Sequence, residues 1–216
     1  MKWYISGTFN NNLDKFKDIK NSNILILGDA CFFNKSKEKV LKKANKTNNN
    51  FYCIRGGLEN NPEFIEGLVA IYDDRVKGLT FYNVNYPNIR YFEDGQIYDI
   101  GGQQTLVIGG GLPINERELL LKGKEYYPDN VLKNEELHKI EGDIDGKEVD
   151  LVLTYTAPHS WEESPNEDLS MELWFSRIKN LFTWKKWMFG KYKKDINLDE
   201  DIMEIYDDIF EIRKDD

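Results

Sequence analysis

Histidine is nearly missing from this chain: there are two in 216 residues, His138 and His159. Imidazoles and carboxylates are the usual ligands of catalytic transition metals. Two scattered histidines therefore exclude a centre built on three or more imidazoles. Cysteine is as scarce. Cys31 and Cys53 each lie in or beside an apolar, strand-like run, which reads as two buried free thiols and excludes a disulfide framework. No apolar run approaches the ~20 residues of a membrane span, so no membrane partner is expected. Met1 to Thr8 enters a short apolar run without the layout of a secretory signal, and a cytoplasmic location is expected. A Gly-x-x-x-x-Gly-Lys-Ser/Thr phosphate loop is missing, and Gly109-Gly110-Gly111 lacks the Gly-x-Gly-x-x-Gly spacing. No Ser or Cys has a neighbouring His and acid that would form a nucleophilic triad. Basic charge is in deficit: the net charge of −9 works against unspecific binding to nucleic acid, which is not an expected partner.

What is present suits a folded protein. Hydrophobic residues make up 40% and aromatics 13%, enough to bury a core, and the length fits one domain over residues 1–216. Short continuous apolar runs at 2–6, 23–27 and 51–54 read as strands. A helical pattern over 37–47 and Leu13, Phe16 and Ile19 at helical spacing lie between them. Pro62 is expected to open a helix capped by Asn60 or Asn61. This alternation predicts an α/β sheet with helices on its faces. Further along, 89–100 and 104–108 read as strands joined by a hairpin at Gly101-Gly102. Strands follow at 149–154 and 186–189, with an amphipathic helix over 171–182 between them. Residues 202–212 read as one or two strands or a helix.

Five predicted strand ends carry chemically distinctive loops, and ligands of open α/β sheets gather at such ends. They are Gly7-Thr8-Phe9-Asn10, Gly28-Asp29, Gly56-Gly57-Leu58-Glu59 (preceded by Arg55), Thr154-Tyr155-Thr156-Ala157-Pro158 and Gly190-Lys191-Tyr192-Lys193. Their order and spacing resemble the calcineurin-like metallophosphoesterases. That family has Asp-x-His, Gly-Asp, Gly-Asn-His-Glu/Asp, a lone His after a strand, and Gly-His-x-His. The resemblance covers almost the whole chain. It implies a metallophosphoesterase-like two-sheet sandwich flanked by helices.

The same resemblance implies that the metal chemistry is gone. Two-metal hydrolysis needs a bridging carboxylate, several imidazoles or amides, and a metal-bound hydroxide. At the ligand positions stand Thr8 and Asn10, Gly57 and Leu58, Tyr155, and Lys191 with Lys193; of the usual set only Asp29 is kept. No metal, no cofactor and no catalytic residue is therefore expected. Lys191 or Lys193 would pair with Asp29 in place of the lost metal, or both would point to water. His159 with Glu162 would form a metal pair or simply sit on the surface, and His138 is expected in solvent. Glu162, Glu163, Glu167 and Asp168 are expected to form a solvated acidic loop. From Arg177 to Lys194 seven basic residues and no acidic one are interleaved with aromatics. That stripe would contact phosphates or bases, or form a core strand with a solvated basic edge.

Three functions follow. In the first, a catalytically inactive binding module uses the vestigial cleft of Asn10, Asp29, Arg55, Tyr155, Lys191 and Lys193 for a phosphate-bearing small molecule, a nucleotide or a protein partner. In the second, the cleft is plugged and the chain is an interaction scaffold or inhibitor. In the third, a divergent phosphoesterase uses Asp29, Asn10, Glu59 and His159 as ligands.

Overall fold

The computed structural model describes residues 1–9, 12–34, 37–122, 127 and 130–213. It is a mixed α/β structure with two mixed sheets and a few helices on their outer faces.

The first sheet is seven-stranded. Its strands are β1 (Trp3–Ser6), β2 (Asn23–Ile26), β3 (Asn50–Cys53), β4 (Val69–Asp73), β5 (Gly78–Asn83), β6 (Tyr86–Phe92) and β13 (Ile209–Ile212). Their order is β13-β1-β2-β3-β6-β5-β4. The centre, β1-β2-β3-β6, is parallel, and β13, β5 and β4 join antiparallel. The second sheet has six strands: β7 (Gln96–Ile100), β8 (Gln103–Ile108), β9 (Glu148–Thr154), β10 (Thr183–Phe189), β11 (Ile196–Asp199) and β12 (Ile202–Glu204), in the order β11-β12-β10-β9-β8-β7. Here β8-β9-β10-β12 is parallel. The helices are α1 (Glu38–Asn45), α2 (Glu116–Leu121), α3 (Asn134–Ile144) and α4 (Ser170–Ile178).

Side-chain alternation builds three apolar layers. Leu25, Tyr52 and Phe92 of the first sheet meet Val107, Leu151 and Leu153 of the second, so the two sheets pack face to face. Ile24, Ile26 and Phe51 point the other way, toward Phe16 and toward Leu41 and Ala44 of α1. On the far side of the second sheet, Val152, Trp187 and Phe189 meet Ile140 of α3 and Trp174 and Phe175 of α4. Both faces of the parallel strands are covered, which is why their sequences are continuous apolar runs rather than alternating ones. Trp187 is fully buried, and its indole N–H donates to Thr154 Oγ1 at 3.0 Å. Burying ~200 Å² of aromatic surface at ~25 cal/mol per Å² is a gross gain of about 5 kcal/mol.

Several expectations are corrected. The run 89–100 is two strands in different sheets, because the chain breaks at Glu93-Asp94-Gly95. Gly95 has φ +81, and a Cβ there would lie 2.4 Å from Ile140. Strands β4, β5 and β11 and helices α2 and α3 lie where no element was expected. Pro62 opens only a 3-10 turn, Pro62–Phe64, capped by Asn61 Oδ1 on the Glu63 N–H. Leu13–Phe16 is likewise a 3-10 turn. Helix α4 ends at Ile178, not 182, and the tail forms two strands, β12 and β13. The hairpin at Gly101-Gly102 forms as read, with φ +65 and +87. Both cysteines are buried and free. Among the described residues no helix is long and apolar enough to cross a membrane.

Candidate functional site

Parallel strands β1, β2 and β3 of one sheet and β8, β9 and β10 of the other end on a common side, and their following loops touch across the sheets. Thr8 Oγ1 donates to the Gly190 carbonyl at 3.3 Å. The Gly110 N–H likewise reaches the Arg55 carbonyl at 2.8 Å, and within the second sheet the Gly190 N–H reaches the Tyr155 carbonyl at 3.3 Å. The approach is close enough to require glycine. At Gly28 (φ +103) a Cβ would lie 2.3 Å from the Tyr155 ring, and at Gly56 one would lie 2.2 Å from the Asp29 nitrogen. The five loops picked out in the sequence thus converge, with the exception of Asn10, which lies outside the described residues.

Asp29 is at the centre, partly exposed, with φ +52. Left-handed backbone at a non-glycine residue is uncommon and clusters at functional sites. Its Oδ1 accepts the Leu58 N–H at 2.8 Å and its Oδ2 accepts the Tyr155 hydroxyl at 3.0 Å. Burial raises the Asp29 pKa, and these donors together with the charge of Lys193 pull it back. Burial also pushes the Tyr155 phenol well above its ordinary value, and the Asp29 charge adds to this. The hydroxyl therefore stays protonated and keeps donating. Removing it should leave Asp29 a donor short. Tyr155→Phe is expected to cost about 1.5–3 kcal/mol, the worth of a hydrogen bond to a charged group, read as a lower urea midpoint with an unchanged far-ultraviolet spectrum.

Two cations of the cleft, Lys191 and Arg55, are engaged elsewhere, which corrects the expected pairing of Lys191 with Asp29. Lys191 Nζ meets Glu172 Oε1 of α4 at 2.6 Å, and the two side chains are 0% and 2% exposed. Arg55 is 1% exposed and pairs with Asp94 Oδ2 at 2.8 Å. Lys193 does reach solvent, with φ +63. The basic stripe is largely neutralised as well. Lys185 pairs with Asp150 and Lys194 with Glu162, both at 2.6 Å, and Arg177 pairs with Glu141. Its aromatics Phe182, Trp187, Phe189 and Tyr192 are in the core. Glu162 is accordingly buried and paired, not solvated as expected.

Glu59 is fully buried. Oε1 accepts the Gly56 N–H at 3.0 Å; Oε2 accepts the Cys31 N–H at 2.9 Å and the Tyr91 hydroxyl at 2.6 Å. It is a brace between the loops after β2 and β3, with both oxygens occupied from inside. Burial raises its pKa from 4.5 to about 7, opposed by these donors and helped by the Asp29 charge. His138 and His159 are exposed. Among the described residues no group of three His, Cys, Asp or Glu is placed to hold a metal ion. Thr8, Gly57, Leu58, Tyr155 and the two lysines do not fit a two-metal centre: they offer no imidazole or second carboxylate, and both Asp29 oxygens already accept protein donors.

Three partners in this network, Glu172, Asp94 and Tyr91, were not singled out from the sequence. Glu172 had a signal: it sits beside Met171 on a helix whose Trp174, Phe175 and Ile178 form the buried face. An acid there calls for a buried cation. Comparison of the chain with protein-family models, curated proteins and solved structures finds no match.

Proposed function

We propose that this chain is a metallophosphoesterase-like protein without hydrolytic chemistry, a binding module whose strand-end cleft is closed by its own side chains and whose partner is a protein. One observation carries the reading. The Tyr155 hydroxyl occupies the single carboxylate retained at the ligand positions, while Lys191 is bonded to Glu172 in the interior. A phosphate entering the cleft to meet Lys191 or Arg55 would have to displace them from the buried Glu172 and the partly buried Asp94, leaving those carboxylates uncompensated. That favours a macromolecular partner over a small phosphate-bearing ligand.

The test is elemental analysis of the protein after incubation with manganese and desalting, beside hydrolysis of a chromogenic phosphodiester and thermal shift with inorganic phosphate. The expected results are metal far below one equivalent, hydrolysis at the rate of the protein-free blank, and no phosphate-induced stabilisation. One or two equivalents of metal, lost together with activity in Asp29→Ala, would overturn the proposal in favour of a divergent phosphoesterase. A saturable phosphate shift abolished by Lys193→Ala would return the cleft to ligand binding.

A further inference from the structure

Two carboxylates meet at the end of β12 with one cation between them. Glu204 ends β12 and is fully buried; Glu162, in the loop after β9, is 8% exposed. The two side chains lie within hydrogen-bonding reach of each other. Lys194, in the loop after β10, touches both. Its Nζ donates to Glu162 Oε2 at 2.6 Å, and its backbone N–H donates to Glu204 Oε1 at 2.8 Å. Glu204 Oε2 is buried without a donor among the described residues. Its neighbour Glu162 is an acceptor as well, so the pair lacks one hydrogen. Two carboxylates in contact inside a protein do not both stay ionised beside a single ammonium; one keeps its proton. A proton on Glu204 turns the orphaned oxygen into a donor to Glu162 and satisfies both. No other group nearby does this. The buried Tyr192 hydroxyl feels both carboxylates but bonds to neither, and burial keeps its phenol protonated. Glu172 is bonded to Lys191, and Glu163 is exposed and adds only its charge toward Lys194.

We propose that Glu162, Glu204 and Lys194 form a proton-controlled latch that ties the loops after β9 and β10 to the end of β12, tight while the two carboxylates share a proton and loosened when it leaves. The loop after β9 begins at Tyr155, which covers Asp29, and the loop after β10 carries Lys191 and Lys193. Two of the five loops around the cleft are therefore under the same control. The released segment is short. The His159 N–H is held by the Glu172 carbonyl at 3.0 Å, and Trp161 packs on Trp187 with ring centroids 5.2 Å apart. Beyond it, Asn166 Nδ2 donates to the Leu112 carbonyl at 3.3 Å. Between these anchors Glu162 is the one buried side chain, so it fixes residues 162–165. Burial raises the Glu204 pKa from 4.5 to about 7; the Glu162 charge adds to the rise, and Lys194 opposes it. The tight latch holds a proton that the loosened one gives up. It therefore weakens as pH rises from about 4.5 to about 7 and levels off above. The latch belongs to the fold and does not depend on what the cleft binds.

Hydrogen exchange of the Lys194 amide, which Glu204 holds, tests this in the full chain by nuclear magnetic resonance at pH 5 and pH 8, corrected for the intrinsic rate at each pH. The expected result is a loss of protection of about tenfold or more at pH 8, with a much smaller change at the amides of β8. In Glu204→Gln the side-chain amide donates to Glu162 and its oxygen keeps the Lys194 N–H, so the pH dependence should vanish. Glu162→Gln, which gives Glu204 a donor and removes the competing charge, should shrink it as well. Equal protection of the Lys194 amide at the two pH values overturns the proposal. So does a loss shared equally by β8, which would be global unfolding, or a loss that persists unchanged in both variants.

Discussion

Lys191→Met is expected to destabilise the protein by about 3–5 kcal/mol, because it leaves the Glu172 carboxylate buried without its cation. Methionine keeps the apolar length of the lysine, so little of the loss comes from packing. For a chain of this size each kcal/mol moves the melting temperature by about 2–4 °C, which predicts a fall of about 10 °C in a thermal scan. The same pair replaced on both sides, Glu172→Leu with Lys191→Met, should recover most of the loss. A buried pair contributes little net stability beyond what two apolar side chains would, while half of one is costly.

The rescue partner identifies what Lys191 holds. Glu172→Leu or Glu172→Gln should rescue Lys191→Met, and Asp29→Asn should not, since the ammonium is 2.6 Å from Glu172 and only its longer-range field reaches Asp29. The reverse pattern would mean that the lysine pairs with Asp29 instead. A loss that Glu172→Leu does not recover would point to packing instead.

The part of the fold that could be read from the chain is the part governed by local pattern. Asn23-Ile-Leu-Ile and Phe51-Tyr-Cys are continuous apolar runs because both their faces are covered, and their ends announce the loops. What escaped notice depends on tertiary partners. β4 and β5 are half-exposed strands whose mixed composition has no strong period. β11 is exposed along its length, so burial wrote nothing into it. The break between β6 and β7 was marked by Glu93-Asp94-Gly95, yet nothing local says that the chain changes sheets there. At the site, the sequence indicated which residues would converge but not how they would pair. Lys191 stands next in sequence to Gly190, which touches Leu27 and Tyr155, and still its side chain turns the other way, toward α4. That choice depends on Glu172, nineteen residues away.

The loop geometry around Asp29 should depend on Glu59 more than on any residue that faces the cleft. Asp29 and Cys31 both hold left-handed backbone, φ +52 and +53, and the Cys31 N–H is held by Glu59 Oε2 at 2.9 Å. Glu59→Ala would leave that N–H, the Gly56 N–H and the Tyr91 hydroxyl buried without an acceptor. At about 1–3 kcal/mol for each group, the expected loss is about 4 kcal/mol or more, with increased hydrogen exchange over 28–31 and 56–58. Glu59→Gln separates charge from shape. Its amide nitrogen must face either the Gly56 or the Cys31 N–H, so it too destabilises, but it removes the titration. In the wild type, burial raises the Glu59 pKa from 4.5 to about 7. At about 1.4 kcal/mol per pH unit this is worth about 3 kcal/mol. The folded form binds the extra proton, so wild-type stability should fall as pH rises from about 4.5 to about 7 and level off above. Glu204, which burial also raises to about 7, adds to the same slope. Below that window the trend reverses, because backbone N–H groups hold Asp195 low against burial and Lys2 holds Glu211 low. Urea midpoints should therefore peak near pH 5, and Glu59→Gln should flatten the decline between pH 5 and pH 7. An unchanged slope in that variant would show that the three donors keep Glu59 ionised throughout, and that it braces the loops as a carboxylate at every pH.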